Sequence, residues 1–325
     1  MTAKTGILLV NLGTPDAPEP AAVRRYLAEF LSDRMVVDLP PVIWQPILRG
    51  AILPFRPRRT AEAYRLIWTE EGSPLAAITR RQTRALQDRL GRGSVVDFAM
   101  RYGTPAIAAV LDRMVAGGCE RILAAPLYPQ FSGATTGTAE KTLLGAFAAM
   151  DSNVPMRILP PYYDDDLYIG ALAANLERQL TALDFEPQRL LLSFHGLPQR
   201  TVDRGDPYYL HCTATARLLD KRLSVPTDVA FQSRFGRAKW LEPATADMLA
   251  AYPAMGIRRI AIAAPGFSVD CIETLEELGI RGRDTFVGAG GKRLARLDCL
   301  NDSPEGMAML EQLVRRELAG WAKDE

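Results

Sequence analysis

The sequence predicts an α/β fold made of two similar domains with mainly parallel sheets. Short apolar runs alternate with longer segments whose apolar residues recur with helical spacing, which is the pattern of repeated βαβ units. The length of 325 residues indicates two domains, at about 150 residues per domain. Several segments of the first half also recur, in the same order, in the second half.

Each predicted strand is a short apolar run of the kind that alternates with helices in βαβ proteins. The strands are predicted at Ile7–Val10, Val95–Met100, Arg121–Ala125, Met156–Leu159, Leu190–Ser193, Asp228–Phe231, Arg259–Ala263 and Leu294–Leu297. Between the strands, apolar residues three or four positions apart predict amphipathic helices. The helices are predicted at Ala21–Leu31, Leu75–Leu90, Pro105–Ala116, Thr138–Met150, Asp166–Leu183, Pro207–Leu223, Pro243–Ala251, Cys271–Leu278 and Pro304–Ala319.

Three pairs of segments are alike in the two halves, and each is a strand followed by a Gly or Pro turn. Their shared order indicates two related domains, residues 1–161 and 162–303, with a last helix in residues 304–325 that packs back on the first domain. Because open α/β sheets bind ligands at the carboxyl ends of their strands, we expect the strand-end loops to surround one cleft. The pairs are Leu8–Pro15 with Leu191–Pro198, Phe98–Gly103 with Phe231–Gly236, and Gly117–Pro126 with Met255–Pro265.

Composition argues against several classes of function. The chain has 39 Lys and Arg against 38 Asp and Glu, so no nucleic-acid partner is expected. Two histidines and four well-separated cysteines argue against a site of several histidines, a cysteine zinc site and a disulfide scaffold. No apolar stretch approaches the roughly 18 residues of a membrane span. The run Gly6–Val10 is too short for a signal peptide, so the expected location is the cytoplasm.

One apolar segment, Leu39–Arg59, contains Trp44 and Phe55 and ends in a basic cluster. Two interpretations fit it. The segment could be a core-packed helix followed by a loop. It could also be a lip that contacts an apolar ligand or a membrane surface while its arginines meet anionic groups.

His195 is the histidine with the stronger case for a chemical role. It follows a predicted strand, and Gly196 and Pro198 predict a turn that holds the ring at the mouth of the cleft. A neutral imidazole accepts a proton near pH 7 or binds a transition metal. His211 lies within a predicted helix, and we interpret it as structural.

Asp270, Glu273 and Glu277 occur at i, i+3 and i+7 near the start of a predicted helix, and so share one stripe of it. Acidic residues at this end of a helix can be simple partners of its dipole. The functional interpretation is a line of carboxylates that relays protons or passes a hard cation.

Two strand ends carry an arginine beside an aromatic residue, at Arg101–Tyr102 and Arg234–Phe235. Together with the arginines of residues 56–59 they could clamp carboxylates, or they could be ordinary solvated side chains. No phosphate-binding GxxxxGK[ST] loop and no GxSxG elbow is present. The glycines at 288–291 depart from GxGxxG, so dinucleotide binding is not expected.

Six motifs together resemble the ferrochelatases, the family that inserts Fe(II) into a porphyrin in haem synthesis. The resemblance covers about Gly6 to Val314, and the chain looks most like the bacterial protoporphyrin-type enzymes. The motifs are GILLVNLGTPDAP, AYRLIWTEEGSPL, PLYPQFSGATTGT, LSFHGLPQRTVDRGDPY, FQSRFGRAKWLEP and APGFSVDCIETLEELG.

The resemblance implies a chelatase-like fold of two Rossmann-like domains with the porphyrin in the cleft. It implies insertion of Fe(II) into protoporphyrin IX with release of two protons, the last step of haem synthesis. His195 and Glu273 would be the catalytic and metal-binding pair, and Asp270 and Glu277 would be a proton or metal relay on a helix with a π-type distortion. The implied porphyrin contacts are Leu12, Arg56, Ser73, Arg101, Tyr102, Trp240 and Phe267.

Two departures from some relatives shape the remaining expectations. Cys271 stands where some relatives have a second histidine, and the Cys-rich C-terminal segment of cluster-bearing relatives is missing. We therefore expect no [2Fe–2S] cluster and no permanently bound cofactor, with Fe(II) as a substrate. We also expect a monomer that could touch the inner face of the membrane.

Three alternatives stay open. His195 could accept the pyrrole protons, which we favour, or help to deliver iron. The substrate could be coproporphyrin III, whose four propionates would need more cationic groups. The chain could also be a non-catalytic haem- or solute-binding protein of the same architecture.

Overall fold

The computed structural model describes residues 4–150, 152–236 and 238–321. The chain divides into two compact units. The N-terminal unit contains Met1–Tyr128, Ser132–Pro160 and Leu310–Glu325, and the C-terminal unit contains Pro129–Phe131 and Pro161–Met309. The main division, between Pro160 and Pro161, lies one residue from the predicted boundary.

The N-terminal unit is built on a four-stranded parallel sheet in the order β2-β1-β3-β4. Residues Ile7–Val10 of its strand β1 are fully buried, as expected for a parallel sheet that is covered on both faces. The strands are β1 (Thr5–Gly13), β2 (Ser94–Tyr102), β3 (Arg121–Pro126) and β4 (Met156–Ile158). The helices are α1 (Pro20–Ser32), α2 (Pro41–Ile47), α3 (Leu53–Ile67), α4 (Pro74–Leu90), α5 (Ile107–Ala116) and α6 (Thr138–Ala149).

The C-terminal unit has a second four-stranded parallel sheet, in the order β6-β5-β7-β8. Its strands are β5 (Arg189–His195), β6 (Thr227–Gln232), β7 (Arg259–Ala263) and β8 (Arg293–Arg296). Its helices are α7 (Asp166–Thr181), α8 (Gln199–Asp203), α9 (Tyr208–Asp220), α10 (Thr245–Ala251), α11 (Arg283–Gly288) and the start of α12 (Pro304–Trp321). Each of the predicted strands is present, which confirms the α/β class and the parallel sheets.

The two sheets share one strand order and equivalent local contacts, which confirms that the units are similar. In the N-terminal unit, the Met100 N–H donates to the carbonyl of Pro105 at 2.7 Å. In the C-terminal unit, the Phe231 N–H donates to the carbonyl of Pro243 at 2.9 Å. The residue after each of these prolines forms an isolated bridge with the same strand residue. Met100 and Phe231 are therefore counterparts.

This correspondence corrects one of the three sequence pairs. The sequence similarity pairs Phe98–Gly103 with Phe231–Gly236, which would make Arg101 equivalent to Arg234. The observed contacts displace that match by two residues, so Arg101 corresponds to Gln232. An arginine–aromatic–glycine sequence occurs in both units. It begins inside β2, at Arg101, in the N-terminal unit and two residues after the end of β6, at Arg234, in the C-terminal unit.

The second half of α12 belongs to the N-terminal unit, from Leu310 onward. Glu311 forms an ion pair with Arg89 at 3.0 Å. Trp321 lies beneath the guanidinium groups of Arg157 and Arg121, at 4.8 and 5.7 Å from its ring centre. Residues 322–325 of the predicted last helix lie outside the described residues.

The apolar segment Leu39–Arg59 is helical over most of its length, because α2 continues through a π-helical turn, Leu48–Ile52, into α3. Trp44 is buried, and its Nε1 donates to the carbonyl of Leu31 at 2.6 Å. Val42 and Phe55 are instead 82% and 74% exposed. One side of the segment is therefore packed, as the first interpretation expects, and the other presents apolar groups to solvent. A contact of that side with a ligand or a membrane stays a prediction. Among the described residues, no helix is long and apolar enough to cross a membrane.

Candidate active site

His195 is the last residue of β5 and lies half-buried at the carboxyl edge of the C-terminal sheet. Its Nδ1 is 2.7 Å from the carbonyl oxygen of Gly196. Because a carbonyl oxygen only accepts, Nδ1 carries the proton of the neutral ring and Nε2 keeps its lone pair. The ring is therefore set to accept a proton or bind a cation through Nε2. The ring of Phe267 lies 6.5 Å away, centroid to centroid.

The turn after His195 requires a glycine. Gly196 donates its N–H to the carbonyl of Gln232 at 2.8 Å. A Cβ at this position would lie 2.6 Å from that oxygen and 3.2 Å from the ring of Trp240. A larger residue would push the ends of β5 and β6 apart. Trp240 is held at this turn, where its Nε1 donates to the carbonyl of Phe235 at 2.8 Å.

The acidic helix starts as a π-helical segment, Glu273–Gly282, and continues into α11. The family resemblance implied this distortion. A π-helix is hydrogen-bonded from i to i+5, so the α-helical stripe predicted for the three carboxylates does not describe their arrangement. Glu273 is half-buried at the start of the segment, and its carbonyl oxygen accepts Nε2–H of Gln232 at 3.0 Å.

Asp270 is buried just before this helix, and its carboxylate is surrounded by donors. It accepts the Thr274 hydroxyl at 2.7 Å, Arg296 Nη1 at 3.0 Å and Asn301 Nδ2 at 2.7 Å. A buried carboxylate is stable only when it is paired and hydrogen-bonded in this way. Asp270 thereby ties the start of the acidic helix to the end of β8 and the loop that follows.

Glu277 binds the loop after β6. Its two carboxylate oxygens accept the N–H of Ser233 at 2.8 Å and the hydroxyl of Ser233 at 2.6 Å. Ser233 has a φ of 63°, a left-handed conformation that is uncommon for a residue other than glycine. The two hydrogen bonds stabilise that conformation, so Glu277 fixes the course of the chain directly after Gln232.

Cys271 lies beside Glu273. Burial raises the pKa of the Cys271 thiol well above its ordinary value, and the neighbouring Glu273 carboxylate raises it further. The residue that replaces the second histidine of some relatives is therefore a neutral thiol at physiological pH. Within the described part of the chain, no group of three or more His, Cys, Asp or Glu side chains is arranged to hold a metal ion.

In the N-terminal unit, Arg101 and Tyr102 end β2 and share one carboxylate partner, Asp33. Arg101 Nη2 and the Tyr102 hydroxyl donate to the same Asp33 oxygen, at 2.5 and 2.9 Å. The Thr138 hydroxyl also donates to this oxygen, at 2.5 Å, and accepts Arg101 Nε at 2.8 Å. The guanidinium lies 4.2 Å above the Tyr102 ring. Asp33, Arg101 and Tyr102 line a pocket of about 430 Å³ together with Lys141.

The carboxyl group of Asp33 is stabilised as an anion. Burial alone would raise its pKa, but hydrogen bonds from Thr138, the Met35 N–H and Tyr102, together with the charge of Arg101, hold the pKa below its ordinary value. Asp33 thus fixes the two predicted porphyrin contacts in one arrangement.

The other three predicted contacts of the N-terminal unit lie on separate elements. Leu12 is half-buried at the end of β1. Ser73 is buried directly before α4 and accepts the Thr14 hydroxyl at 2.8 Å, which brings the start of α4 to the end of β1. Arg56 lies in α3, within the apolar segment.

His211 has the features of a structural residue, as predicted. Its Nδ1 accepts the N–H of Phe131 at 3.1 Å, and its ring stacks on Tyr163 at 3.6 Å with 9° between the planes. Burial lowers the pKa of His211 from its ordinary value, although Asp164 and Asp206 act in the opposite direction. The neutral ring is thus favoured in the folded protein.

The comparisons with known proteins agree with these motifs. The family model for Ferrochelatase matches residues 4–318. This chain belongs to the ferrochelatase family. Ferrochelatase of Mesorhizobium japonicum is 49% identical over 325 residues, covering 98% of this chain and 92% of that protein. Ferrochelatase of Rhizobium meliloti is 47% identical over 98% of this chain and 96% of its own length. The ferrochelatase family performs metal chelation in haem synthesis, so the chain is a metal chelatase.

Solved structures support the fold. SirB from Bacillus subtilis with Fe3+ matches with a TM-score of 0.56 at 14% identity, over 96% of this chain and 94% of that one. The sirohydrochlorin chelatase SirB from Bacillus subtilis subspecies spizizenii in complex with cobalt also matches with a TM-score of 0.56, at 12% identity. The ferrochelatase-family chain therefore has the predicted chelatase-like fold.

Sequence reasoning missed four residues that hold the candidate site in place. Asp33 and Thr138 bind Arg101 and Tyr102, and Gln232 and Ser233 bind the acidic helix. Gln232 and Ser233 lie within a quoted motif, so the motif itself was a usable signal for them. Asp33 lies outside the six quoted motifs, and it is 68 positions from Arg101, so only the folded chain brings the two side chains together.

We predict that Asp33→Asn destabilises the protein at pH 7 by about 1–3 kcal/mol, because a buried charged hydrogen-bond network loses its anion. The folded-state pKa of Asp33 is lowered, so its contribution is complete above the unfolded-state pKa of about 3.9 and is lost as the pH falls through the folded-state value. Urea unfolding of both proteins from pH 8 down to about pH 3 measures this difference, which should hold steady above about pH 5 and shrink below it. A gap between variant and wild type that grows on acidification would contradict the assignment.

Proposed function

We propose that this metal chelatase inserts Fe(II) into protoporphyrin IX to give protohaem, with release of two protons, as the last step of haem synthesis. The observation that carries the proposal is the His195 ring, whose Nδ1–H is bound to a carbonyl while Nε2 keeps a lone pair. A porphyrin must lose two pyrrole protons when it takes up a metal ion. A positioned neutral imidazole is suited to accept one of them near pH 7.

Glu273 is the proposed partner of His195 at the metal and the pyrrole nitrogens. It stands at the start of the acidic helix, and the side chain of Gln232, which pairs with His195 in the sheet, binds its carbonyl. One imidazole and one carboxylate form a weak ligand set for Fe(II), which suits a substrate that must be handed on. The relay role of Asp270 and Glu277 stays a prediction, and their hydrogen bonds support a role in positioning the helix.

The choice of protoporphyrin over the more highly charged coproporphyrin rests on the resemblance to the bacterial protoporphyrin-type enzymes. Arg56 and Ser73 of the N-terminal unit are the proposed partners of propionates, and Leu12, Arg101, Tyr102, Trp240 and Phe267 are the other proposed porphyrin contacts. The lack of an Fe–S cluster and the monomeric state stay predictions.

The preferred porphyrin is decided by a competition experiment. With protoporphyrin IX and coproporphyrin III supplied together under anaerobic conditions with limiting Fe(II), we expect kcat/KM for protoporphyrin to be at least about tenfold higher, since each mismatched propionate would be desolvated without a partner. The visible spectra of the two haem products report the ratio. A preference for coproporphyrin would overturn the substrate assignment. Stoichiometric binding without turnover would overturn the catalytic role.

We predict that His195→Ala and Glu273→Gln each lower kcat by at least about 100-fold, the contribution typical of a positioned general base. Porphyrin binding, measured by fluorescence quenching, should change little because apolar contacts dominate it. His211→Gln is the matched control, since it alters the other histidine of the chain. Near-normal metallation by His195→Ala would contradict its role. Loss of porphyrin binding by Glu273→Gln would make that residue positional.

A peripheral membrane contact is the second part of the proposal. Val42, Ile43 and Phe55 are 82%, 55% and 74% exposed on α2 and α3, and the exposed Arg49 and Arg58 lie in the same segment. An apolar surface flanked by cations fits an anionic lipid surface. It would place the protein beside the phase into which an apolar porphyrin partitions.

We predict that the protein co-sediments with vesicles containing phosphatidylglycerol. Phe55→Glu should lower this partitioning about tenfold, because a charge replaces an exposed aromatic group that would enter the lipid. Leu210→Glu is the matched control, since Leu210 is 68% exposed on α9 of the C-terminal unit. Equal partitioning of both variants, or no binding by the wild type at low salt, would argue against this contact surface.

A further inference from the structure

A chain of buried polar side chains connects the framework of the C-terminal sheet to the start of the acidic helix. Gln232, the last residue of β6, is 3% exposed. Its Oε1 accepts the Ser193 hydroxyl at 2.8 Å, and its Nε2 donates to the Glu273 carbonyl at 3.0 Å. Ser193 Oγ lies 2.7 Å from the Thr245 hydroxyl. Each hydroxyl has one proton, so Thr245 donates to Ser193 and Ser193 donates to Gln232.

The carbonyl of Glu273 fixes the orientation of the Gln232 amide, because a carbonyl oxygen only accepts. If the amide were rotated by 180°, its oxygen would face that carbonyl oxygen and neither could donate. Gln232 is 3% exposed, so water could not compensate for the lost hydrogen bond. The amide donor is therefore directed at the backbone of Glu273.

The same side chain also lies beside His195. Gln232 pairs with His195 in the parallel register of β5 and β6, and its own carbonyl accepts the N–H of Gly196 at 2.8 Å. Gln232 thus makes two contacts. Its backbone carbonyl binds the turn after His195, and its side chain binds the start of the acidic helix. No other described hydrogen bond in the C-terminal unit joins the end of β6 to the backbone of Glu273.

The N-terminal unit provides an internal comparison. The positions that correspond to Ser193, Gln232 and Thr245 are held there by Val10, Arg101 and Ile107. Two of the three polar links are therefore replaced by apolar residues on the same framework. The polar chain exists only in the copy that carries His195 and Glu273, so the fold does not need it in order to form such a sheet.

We propose that Gln232 is a positioning residue for Glu273, and that the amide of Gln232, held at its oxygen by Ser193, sets the Glu273 carboxylate relative to His195. This inference rests on the proposed role of Glu273 in metallation. Its effect should appear in the chemical step, since the amide touches the backbone of Glu273 and binds no substrate.

The test is Gln232→Met, which keeps the length and volume of the side chain and removes the amide. We expect kcat for iron insertion to fall about 10- to 100-fold, the cost of displacing a reacting group by about 1 Å. Porphyrin affinity should stay close to that of the control. The midpoint of thermal unfolding should fall by only a few degrees, the cost of one or two buried hydrogen bonds in a chain of this length. The control is Gln188→Met, since Gln188 binds the Arg258 and Arg259 N–H groups at the opposite edge of the same sheet.

A double-mutant cycle separates positioning from general damage. In a Glu273→Gln background, Gln232→Met should change the residual rate by less than about twofold, because the group it positions is already absent. Ser193→Ala, which removes the hydrogen bond that holds the amide oxygen in place, should lower kcat about fivefold and keeps the proposal testable if Gln232→Met folds poorly. An undiminished kcat in Gln232→Met, or an equal loss in both backgrounds, would overturn the inference. Unaltered activity of Glu273→Gln itself would instead overturn the proposed function.

Discussion

The close approach of β5 and β6 at their carboxyl ends is the constraint on which the candidate site depends. Gly196 fits there because no Cβ separates it from the Gln232 carbonyl. Six residue pairs, from Leu190 with Thr227 to His195 with Gln232, hold the two strands in one register. His195 therefore has one place next to Gln232, and its Nδ1 has one partner in the turn. The accessible lone pair of Nε2 is a consequence of this packing.

The two units have the same strand order but carry different side chains at the carboxyl ends of their strands. At corresponding strand ends the N-terminal unit has Leu12 and Arg101, and the C-terminal unit has His195 and Gln232. Arg101 needs a carboxylate, which Asp33 supplies, and the pair is largely removed from solvent. The near-zero net charge of the chain is therefore matched locally, because Arg101 is paired with Asp33 in one unit and Arg296 with Asp270 in the other.

The sheet and the turn at His195 could be predicted because they depend on local patterns. Fully apolar runs specify buried parallel strands, and Gly196 specifies the turn. The contacts that hold the site could not be predicted in this way. Asp33 and Arg101 are separated by 68 positions, and Gln232 and Glu273 by 41. Comparing the two halves by residue type also paired Arg101 with Arg234 wrongly. The correct pairing follows from the backbone hydrogen bonds of Met100 and Phe231, which residue types do not reveal. The π-helix was foreseen only through the family resemblance, because helical propensity does not distinguish it from an α-helix.

The three carboxylates of the acidic helix differ in what surrounds them, and this difference explains why Glu273 is the chemical candidate. Asp270 is neutralised by Arg296 and two further donors, so a change in its charge would cost the interactions that hold the helix start. Glu277 has both oxygens committed to Ser233. Glu273 is held through its carbonyl by Gln232. Among the described residues, its carboxylate is hydrogen-bonded to the Cys271 thiol, which burial keeps neutral, rather than to a cation or a backbone N–H. A group that is positioned through its main chain can exchange a proton without losing its place, which a group positioned through its carboxylate cannot do.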